Sequence, residues 1–503
     1  MSTLKKLSEL ESRRATIENS GNEDAKRVSL AKDKLSARDR ITSLLDENSF
    51  VEVGAFITSR STAFNMDIQD TPADGVVSGY GTINGNPVYV YSQDTSVLGG
   101  ALGEMHAKKI VRIYNDAIKM GVPVIGMLDT VGIRLQESVD ALEGYGAIFT
   151  KMTEATGVIP QIAVVFGDCA GSAAFIAGLS DFVFMSTKNA RMFLNSPNTI
   201  DDKAADFDAI ATAKVHFEES GLASFISEKE SDIISEVRNL MSYLPQNNFD
   251  EGPFYNVTDD LNRMDENLNC FDFNVNKVSD IIVSIIDNGK YFELNSKYAE
   301  HVFTGFARMN GGTIGIIANI ESTVDYSGVK KMTNFVSLCD GFNIPLLTLT
   351  NIKSFTSTII TEKLGMIKEC SKLVSAFASA TVPKVNVILN DAFGSSYIVM
   401  NSKHIGADYV YAWPTAKISI LNPESAVKIM YDEEIKTASV VAEVIAQKTI
   451  EYEVMNSSAY AVAARGYIDD IIEPAATRKR VIAAFEMLST KQINENYKKH
   501  PTV

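Results

Sequence analysis

The second half of this chain repeats the plan of the first, and that repeat restricts the fold more than any other feature. Gly79-Tyr80 followed by Asn84-Gly85 returns as Gly305-Phe306 followed by Asn310-Gly311, an offset of 226 residues. Gly121-Val122-Pro123-Val124 returns as Asn343-Ile344-Pro345-Leu346 at an offset of 222. Val158-Ile159-Pro160, the strand after it and Gly171-Ser172-Ala173 match Thr381-Val382-Pro383 and Gly394-Ser395-Ser396 at 223, and Asp181-Phe182-Val183-Phe184 matches Asp408-Tyr409-Val410-Tyr411 at 227. Anchors in one order at nearly constant spacing predict two homologous α/β domains. Asn-Gly between β-rich flanks predicts a tight hairpin in each. Ile110, Val111, Tyr114, Ala117 and Ile118 form one helical stripe within 103–120, and Val124–Leu128, Ile162–Phe166 and Phe182–Met185 read as buried strands. The Asn- and Asp-rich stretch 245–275 is the seam. The expected organisation is a helical arm over 1–50, whose leucine spacing suits a surface on the body or on a neighbouring subunit, then domains over 51–245 and 246–503.

Composition narrows the class. The chain has 503 residues, 45% hydrophobic and 22% charged, with a formal charge of −16. That is ordinary for a globular protein with ample core. A negative field of this size opposes nucleic-acid binding, and there is no basic cluster to overcome it. Cys169, Cys270, Cys339 and Cys370 are too scattered for a disulfide framework, and the five histidines show no metal spacing, so no bound metal is expected. The N-terminus lacks a signal-peptide core and no apolar run is long enough to span a bilayer. A cytoplasmic location is the expectation.

The chemistry is concentrated at one bend in each half. The strand Ile162–Phe166 runs into Gly167-Asp168-Cys169-Ala170-Gly171-Ser172-Ala173, and Val385–Leu389 runs into Asn390-Asp391-Ala392-Phe393-Gly394-Ser395-Ser396. A strand that ends in small residues at a helix start leaves unpaired N–H groups pointing outward, backed by the helix dipole. Such groups make an oxyanion hole. Each bend taken alone is equally a device for tight strand–helix packing; their duplication favours a reaction with two carbonyls that both acquire negative charge.

Several longer stretches then carry a resemblance: Pro72-Ala73-Asp74-Gly75-Val76-Val77, the run Gln93-Asp94 to Leu98-Gly99-Gly100-Ala101-Leu102-Gly103-Glu104-Met105-His106-Ala107-Lys108-Lys109, and Tyr411-Ala412-Trp413-Pro414-Thr415-Ala416. Over nearly its whole length the chain resembles the carboxyltransferase subunits of biotin-dependent acyl-CoA carboxylases and decarboxylases, of the propionyl-CoA carboxylase β and methylmalonyl-CoA decarboxylase α types. The resemblance implies two crotonase-like domains of the ClpP/crotonase superfamily, a first that binds acyl-CoA and a second that binds carboxybiotin, with the active site between the first domain of one subunit and the second of another. It implies that CO2 leaves carboxybiotin and is captured by the thioester enolate, with backbone N–H pairs at Gly171 and Ser172 and at Ser395 and Ser396 as the catalytic groups. Gly75, Gly99, Gly100, Gly132, Ile133, Arg134, Ala173, Gly394, Tyr397 and Ile398 become the expected substrate-binding residues. Biotin is then carried by a separate subunit, and the implied partners are a biotin carboxyl carrier protein and either a biotin carboxylase or a membrane decarboxylase subunit, around a homo-hexamer that stands in the cytoplasm or in a membrane-associated complex.

Several family glycines are replaced. D-S-G-G-A-R stands here as Asp129-Thr130-Val131-Gly132-Ile133-Arg134, D-V-P-G-F as Asn351-Ile352-Lys353-Ser354-Phe355, and the two bend motifs carry Ser172 and Ser395 in place of glycine and Ser396 in place of alanine. Serine keeps the N–H donor, and its cost depends on the sign of φ at each position. Val131 and Lys353 add bulk where the family keeps backbone bare. Ile398 stands where propionyl-type members often carry Asp, and reads equally as an acyl-pocket wall or a core residue. His106 reads as a satisfied core histidine, and Arg134 equally as a CoA-phosphate ligand or an ion-pair partner. Ala117-Ile118-Lys119-Met120 resembles a biotinylation motif but closes a helix, whereas a biotinyl lysine needs a protruding hairpin. Two other readings stay open: a biotin-independent crotonase-type enzyme using Asp168 or Asp391 as acid or base, and an assembly subunit without catalysis.

Overall fold

The computed structural model describes residues 3–19, 21–195 and 208–491. Its contacts divide the chain into two compact units, Met1–Asp250 and Glu251–Val503. In the first, β1 (Val76–Ile83) and β2 (Asn86–Gln93) form an antiparallel hairpin, and β3 (Val124–Thr130), β4 (Gln161–Ala170) and β5 (Phe182–Ser186) continue the sheet in parallel. In the second, β6 (Val302–Met309) and β7 (Gly312–Asn319) are the hairpin, followed by parallel β8 (Leu346–Ile352), β9 (Lys384–Phe393) and β10 (Tyr409–Ala412). Each sheet has eight strands and the same neighbour order, so the repeat read from the anchors is a repeat of topology.

The local reasons are the same in both halves. Asn84 and Gly85 take φ of 52° and 81°, and Asn310 and Gly311 take 51° and 79°. Two successive positive values make the type I′ turn, whose twist matches a two-residue hairpin. Parallel strands covered on both faces carry continuous apolar runs, and Val124, Ile125, Met127 and Leu128 are all buried, as are Val385, Val387, Ile388 and Leu389. Helices α1 (Glu104–Met120), α2 (Ser138–Ala155) and α3 (Ser172–Leu179) of the first unit correspond to α4 (Tyr326–Gly341), α5 (Met366–Ser379) and α6 (Gly394–Val399) of the second. α1 buries Ile110, Ile113, Tyr114 and Ala117 and stops at Gly121, whose left-handed backbone caps it. Lys119 therefore sits in a last helical turn and not on a hairpin.

The N-terminal arm is helical, in three segments. Thr3–Asn19 buries nothing within the chain. Ala37–Leu44 docks on the first unit through Ile41, Leu44 and Arg40. The Arg40 guanidinium is buried. It pairs with both oxygens of Glu230 at 2.8 and 2.9 Å, reaches Asp129 at 3.1 Å and lies 4.6 Å above the Phe166 ring. Lys34 adds a second cation to Asp129 at 2.6 Å. Among the described residues no helix is long and apolar enough to cross a membrane.

Removing one partner of a buried ionic cluster leaves its counter-charges uncompensated, which costs about 3–5 kcal/mol. Arg40→Ala is therefore expected to lower the urea midpoint of unfolding by an amount equivalent to that loss. A loss below about 1 kcal/mol would show that the arm is not held by this cluster.

Candidate active site

A main-chain amide can be aimed only through the φ and ψ of its own residue and its predecessor, so the two bends are decided by their glycines. Gly171 has φ of 62° and Gly394 has φ of 57°. A side chain at Gly394 would meet the Ile420 carbonyl oxygen at 2.9 Å. Both positions are left-handed, and both glycines are retained. Ser172, Ser395 and Ser396 do not lie in the left-handed region, so serine is accepted there without backbone strain. The family glycines lost at the bends are the ones whose conformation any residue can adopt.

One expected donor moves. The Gly171 N–H donates to the Phe193 carbonyl at 2.9 Å and is not available to a ligand. Gly171 instead supplies the left-handed backbone that starts α3, and the amides left open by the helix start are those of Ser172 and Ala173. These match Ser395 and Ser396 of α6 at the 223-residue offset, so the pairing of donors in the two halves shifts by one residue in the first. The Ser396 hydroxyl donates to the Phe393 carbonyl at 2.6 Å, which turns it away from the amides.

A loop crosses beside each bend. In the first unit Val131 N–H donates to Gly99 O, Leu102 N–H to Gly132 O and Arg134 N–H to Leu102 O, at 3.2, 2.9 and 2.9 Å. This parallel bridge leaves the Ile133 amide facing the other side. A side chain on Gly132, at φ of 106°, would touch the Ala170 oxygen at 3.1 Å, so the loop residue that precedes Ile133 lies against the residue that precedes the bend. In the second unit Lys353 N–H donates to Ser322 O and Thr356 N–H to Val324 O at 2.6 and 2.8 Å, leaving Phe355 in the place of Ile133. α6 packs on Ser354–Phe355. Each bend therefore has a neighbouring loop amide, a donor that the motif Asn351–Phe355 signals only once its register on Val131–Ile133 is known.

The other expected binding residues separate into scaffold and wall. Ala73, Asp74 and Gly75 all have positive φ, as do Leu98, Gly99 and Gly100, so two left-handed turns stand side by side. Gly100 admits no side chain, since one would lie 2.4 Å from the Asp129 oxygen. Val131, half exposed, packs against Gly99, and Lys353 is 3.5 Å from Asp391. Arg134 is corrected: it is 1% exposed and bonded to Asp74 and Glu137 at 2.7 Å each and to the Ala101 carbonyl at 2.9 Å, so no face is left for a CoA phosphate. His106 is the satisfied core residue it was read as. Its Nδ1 faces the Asp74 carbonyl at 3.0 Å and Nε2 faces Gln93 at 3.3 Å, while burial, with Arg134 and Lys109 nearby, holds its pKa well below the usual histidine range. Asp168 is exposed on β4.

In the second unit Gly394, Ser395, Tyr397 and Ile398 line a cavity of about 350 Å³ with His404, Ile418 and Ile420. Ile398 is 41% exposed and belongs to the wall, not the core. The Tyr397 hydroxyl is buried and has no partner among the described residues. An apolar wall, an unpartnered hydroxyl and open amides suit a ligand with a polar carbonyl on a largely apolar frame.

Sequence reasoning missed a pair of buried lysines. Lys109 on α1 donates to the carbonyls of Ala73, at 2.8 Å, and Val76. Lys331 on α4 donates to those of Tyr298 and Val302 at 2.9 and 2.7 Å, and lies 3.5 Å from that of Ala299, which also has positive φ. Burial pushes both ammonium groups down to about 8, against the opposing pull of Glu52 and Asp74 on Lys109, which Arg38 offsets, and of Glu293 and Glu300 on Lys331. The signal was the doublet Lys108-Lys109, which returns as Lys330-Lys331 at the 222-residue offset.

Two measurements test this geometry. Gly394→Ala must hold a methyl group at positive φ and is expected to cost at least about 1–2 kcal/mol, whereas Ser395→Gly is expected to stay within about 1 kcal/mol. Equal losses in urea denaturation would contradict the assigned conformations. Between pH 8 and the ordinary lysine value near 10.4 the unfolded chain holds more protons at Lys109 and Lys331 than the folded one, so these groups make stability rise with pH in that window. The stability difference between the native chain and Lys109→Met/Lys331→Met is therefore expected to shift in favour of the native chain from pH 7.5 to 9.5; a pH-independent difference would contradict the burial of charged amines.

The carboxyl transferase domain family matches residues 29–503. The chain is 40% identical over 510 residues to the methylmalonyl-CoA decarboxylase subunit alpha of Propionigenium modestum and 38% identical over 508 residues to the propionyl-CoA carboxylase beta chain of Roseobacter denitrificans, covering 99% of each chain in both comparisons. A transcarboxylase 12S crystal structure, described as a hexamer assembly with methylmalonyl-coenzyme A and methylmalonic acid bound, matches with a TM-score of 0.96 at 37% identity, over 100% of this chain and 98% of that one. With two crotonase-like domains and this similarity along its length, the chain belongs to the carboxyl transferase family.

Proposed function

We propose that this chain moves a carboxyl group between biotin, carried on a separate protein, and a short-chain acyl-CoA such as propionyl- or methylmalonyl-CoA. The observation that carries the reading is the duplication of a whole donor set: a left-handed glycine, two open helix-start amides and a loop amide, at Gly171, Ser172, Ala173 and Ile133 and again at Gly394, Ser395, Ser396 and Phe355. A reaction that builds negative charge on two carbonyl oxygens in turn needs two such sets, whereas a single thioester hydration or isomerisation needs one.

The division of labour is the one the sequence resemblance implies. Residues 51–245 take the acyl-CoA and residues 246–503 the biotin side, with the arm 1–50 on the first. Carboxylated biotin, when bound, supplies the CO2. The α-proton of the thioester passes to the biotin ureido group as that group gives up its CO2, and the first-unit amides hold the thioester oxygen as charge develops on it, which stabilises the enolate that accepts the CO2. The second-unit amides hold the ureido oxygen, and the cavity beside them receives the apolar ring. Each donor contributes about 3–4 kcal/mol to a transition state of this kind. Ile398 gives that cavity part of its apolar wall. Because the replaced glycines fall where φ is unrestricted, the donor sets are intact, which favours a working enzyme over an assembly subunit. The partners are a biotin carboxyl carrier protein and a biotin carboxylase or membrane decarboxylase subunit. The hexamer assembly of the transcarboxylase 12S structure supports a homo-hexamer, placed in the cytoplasm or, in the second case, on a membrane complex.

Incubation with methylmalonyl-CoA and free biotin or a biotinyl carrier is expected to give thioester-dependent carboxyl transfer. Ser172→Pro removes one N–H at the first helical position, where proline fits, and is expected to lower the rate about 10²–10³-fold, with Ser172→Gly close to the native chain. Intact acyl-CoA binding without any transfer to a competent carrier would refute the proposal.

A further inference from the structure

We propose that Lys109 and Lys331 are positioning residues, each aiming the loop amide of its own unit at the reacting oxygen through a left-handed turn that its ammonium group holds in place; this rests on the carboxyl-transfer reading. The connections are continuous in both halves. In the first, Lys109 ties the turn Ala73–Val76 to α1. Asp94 N–H donates to Gly75 O at 2.9 Å, Val97 N–H to Asp94 O at 3.1 Å and Gly100 N–H to Val97 O at 2.9 Å, and Gly99 O receives Val131 N–H, two residues before the Ile133 amide. In the second, Lys331 ties Tyr298–Val302 to α4. His301 O receives Ile320 and Glu321 N–H at 3.0 and 3.2 Å, and Ser322 O receives Lys353 N–H, two residues before Phe355.

The turns need such a tie. Ala73, Asp74 and Ala299 hold positive φ without being glycine, at 51°, 48° and 49°. An L-residue in that region is strained, so an unheld turn relaxes. The carbonyls that accept from the lysines belong to these turns, and a buried ammonium carries three donors that it can share among converging carbonyls. Neither lysine has an open face toward a ligand: both are at most 4% exposed. They act through the backbone, not on the substrate.

The test separates the two sites. Binding of propionyl-CoA labelled at its thioester carbonyl is expected to lower the C=O stretching frequency, through the first-unit amides. Binding of biotin labelled at its ureido carbonyl is expected to do the same through the second. Lys109→Met is expected to reduce the thioester shift, leave the ureido shift and lower kcat about 10²-fold with little change in KM; Lys331→Met is expected to reduce the ureido shift and leave the thioester shift. The glutamine variants keep two N–H donors and are expected to show a smaller effect confined to the same unit, and they decide the matter if methionine prevents folding. Equal changes at both carbonyls, or none at either, overturn the proposal. Failure of the native chain to shift either carbonyl overturns the carboxyl-transfer reading instead.

Discussion

Everything at the two bends depends on one constraint: a peptide N–H cannot rotate independently of the chain. A side chain can be swung toward a ligand by a rotamer change, but an amide is aimed by φ and ψ, and holding it against relaxation needs a residue that tolerates the angle and partners that lock it. Gly171 and Gly394 meet the first need. The second is met by backbone carbonyls that capture the neighbouring amides, as Phe193 does for Gly171, Gly99 for Val131 and Ser322 for Lys353. The open donors are amides of the bend that no carbonyl of the chain captures.

Behind the first site the same rigidity is built from charge. Asp129 receives Lys34 and Arg40 through its carboxylate, and its amide donates to Gln93; Gln93 meets His106, His106 meets Asp74, and Asp74 meets Arg134, which also holds Glu137. Such a cluster contributes little net stability because of the desolvation it requires, but it penalises every arrangement that breaks one member. The second unit has Asn319 and Asn351 at the corresponding places, with the Asn351 amide donating to the Asn319 side chain at 3.2 Å. It keeps the backbone frame of the first while using neutral groups in part of it.

The topology could be read from the chain because anchors such as Asn84-Gly85 and Asn310-Gly311 each dictate a local conformation and recur at matched intervals. The bends could be read for the same reason. What could not be read was the direction of individual amides. Gly171 and Ser172 look alike as donors in sequence, and only the Phe193 carbonyl, reached across a strand pair, distinguishes them. Arg134 was ambiguous because its partners Asp74 and Glu137 lie 60 and 3 residues away, and only the fold brings both to one guanidinium. Lys109 and Lys331 were hidden by the ordinary expectation that lysine is solvated. The positive φ at Ala73 and Ala299, which makes the lysines necessary, has no signature in residue type.

The central claim is that main-chain amides, and no reactive side chain, meet the oxygen that gains charge. A structure of the chain with a non-hydrolysable acyl-CoA thioester analogue tests it most directly. The account predicts the carbonyl oxygen about 2.7–3.1 Å from the first-unit amides at Ser172 or Ala173 and at Ile133. An oxygen held instead by a side chain such as Asp168, with those amides pointing away from it, would contradict the account.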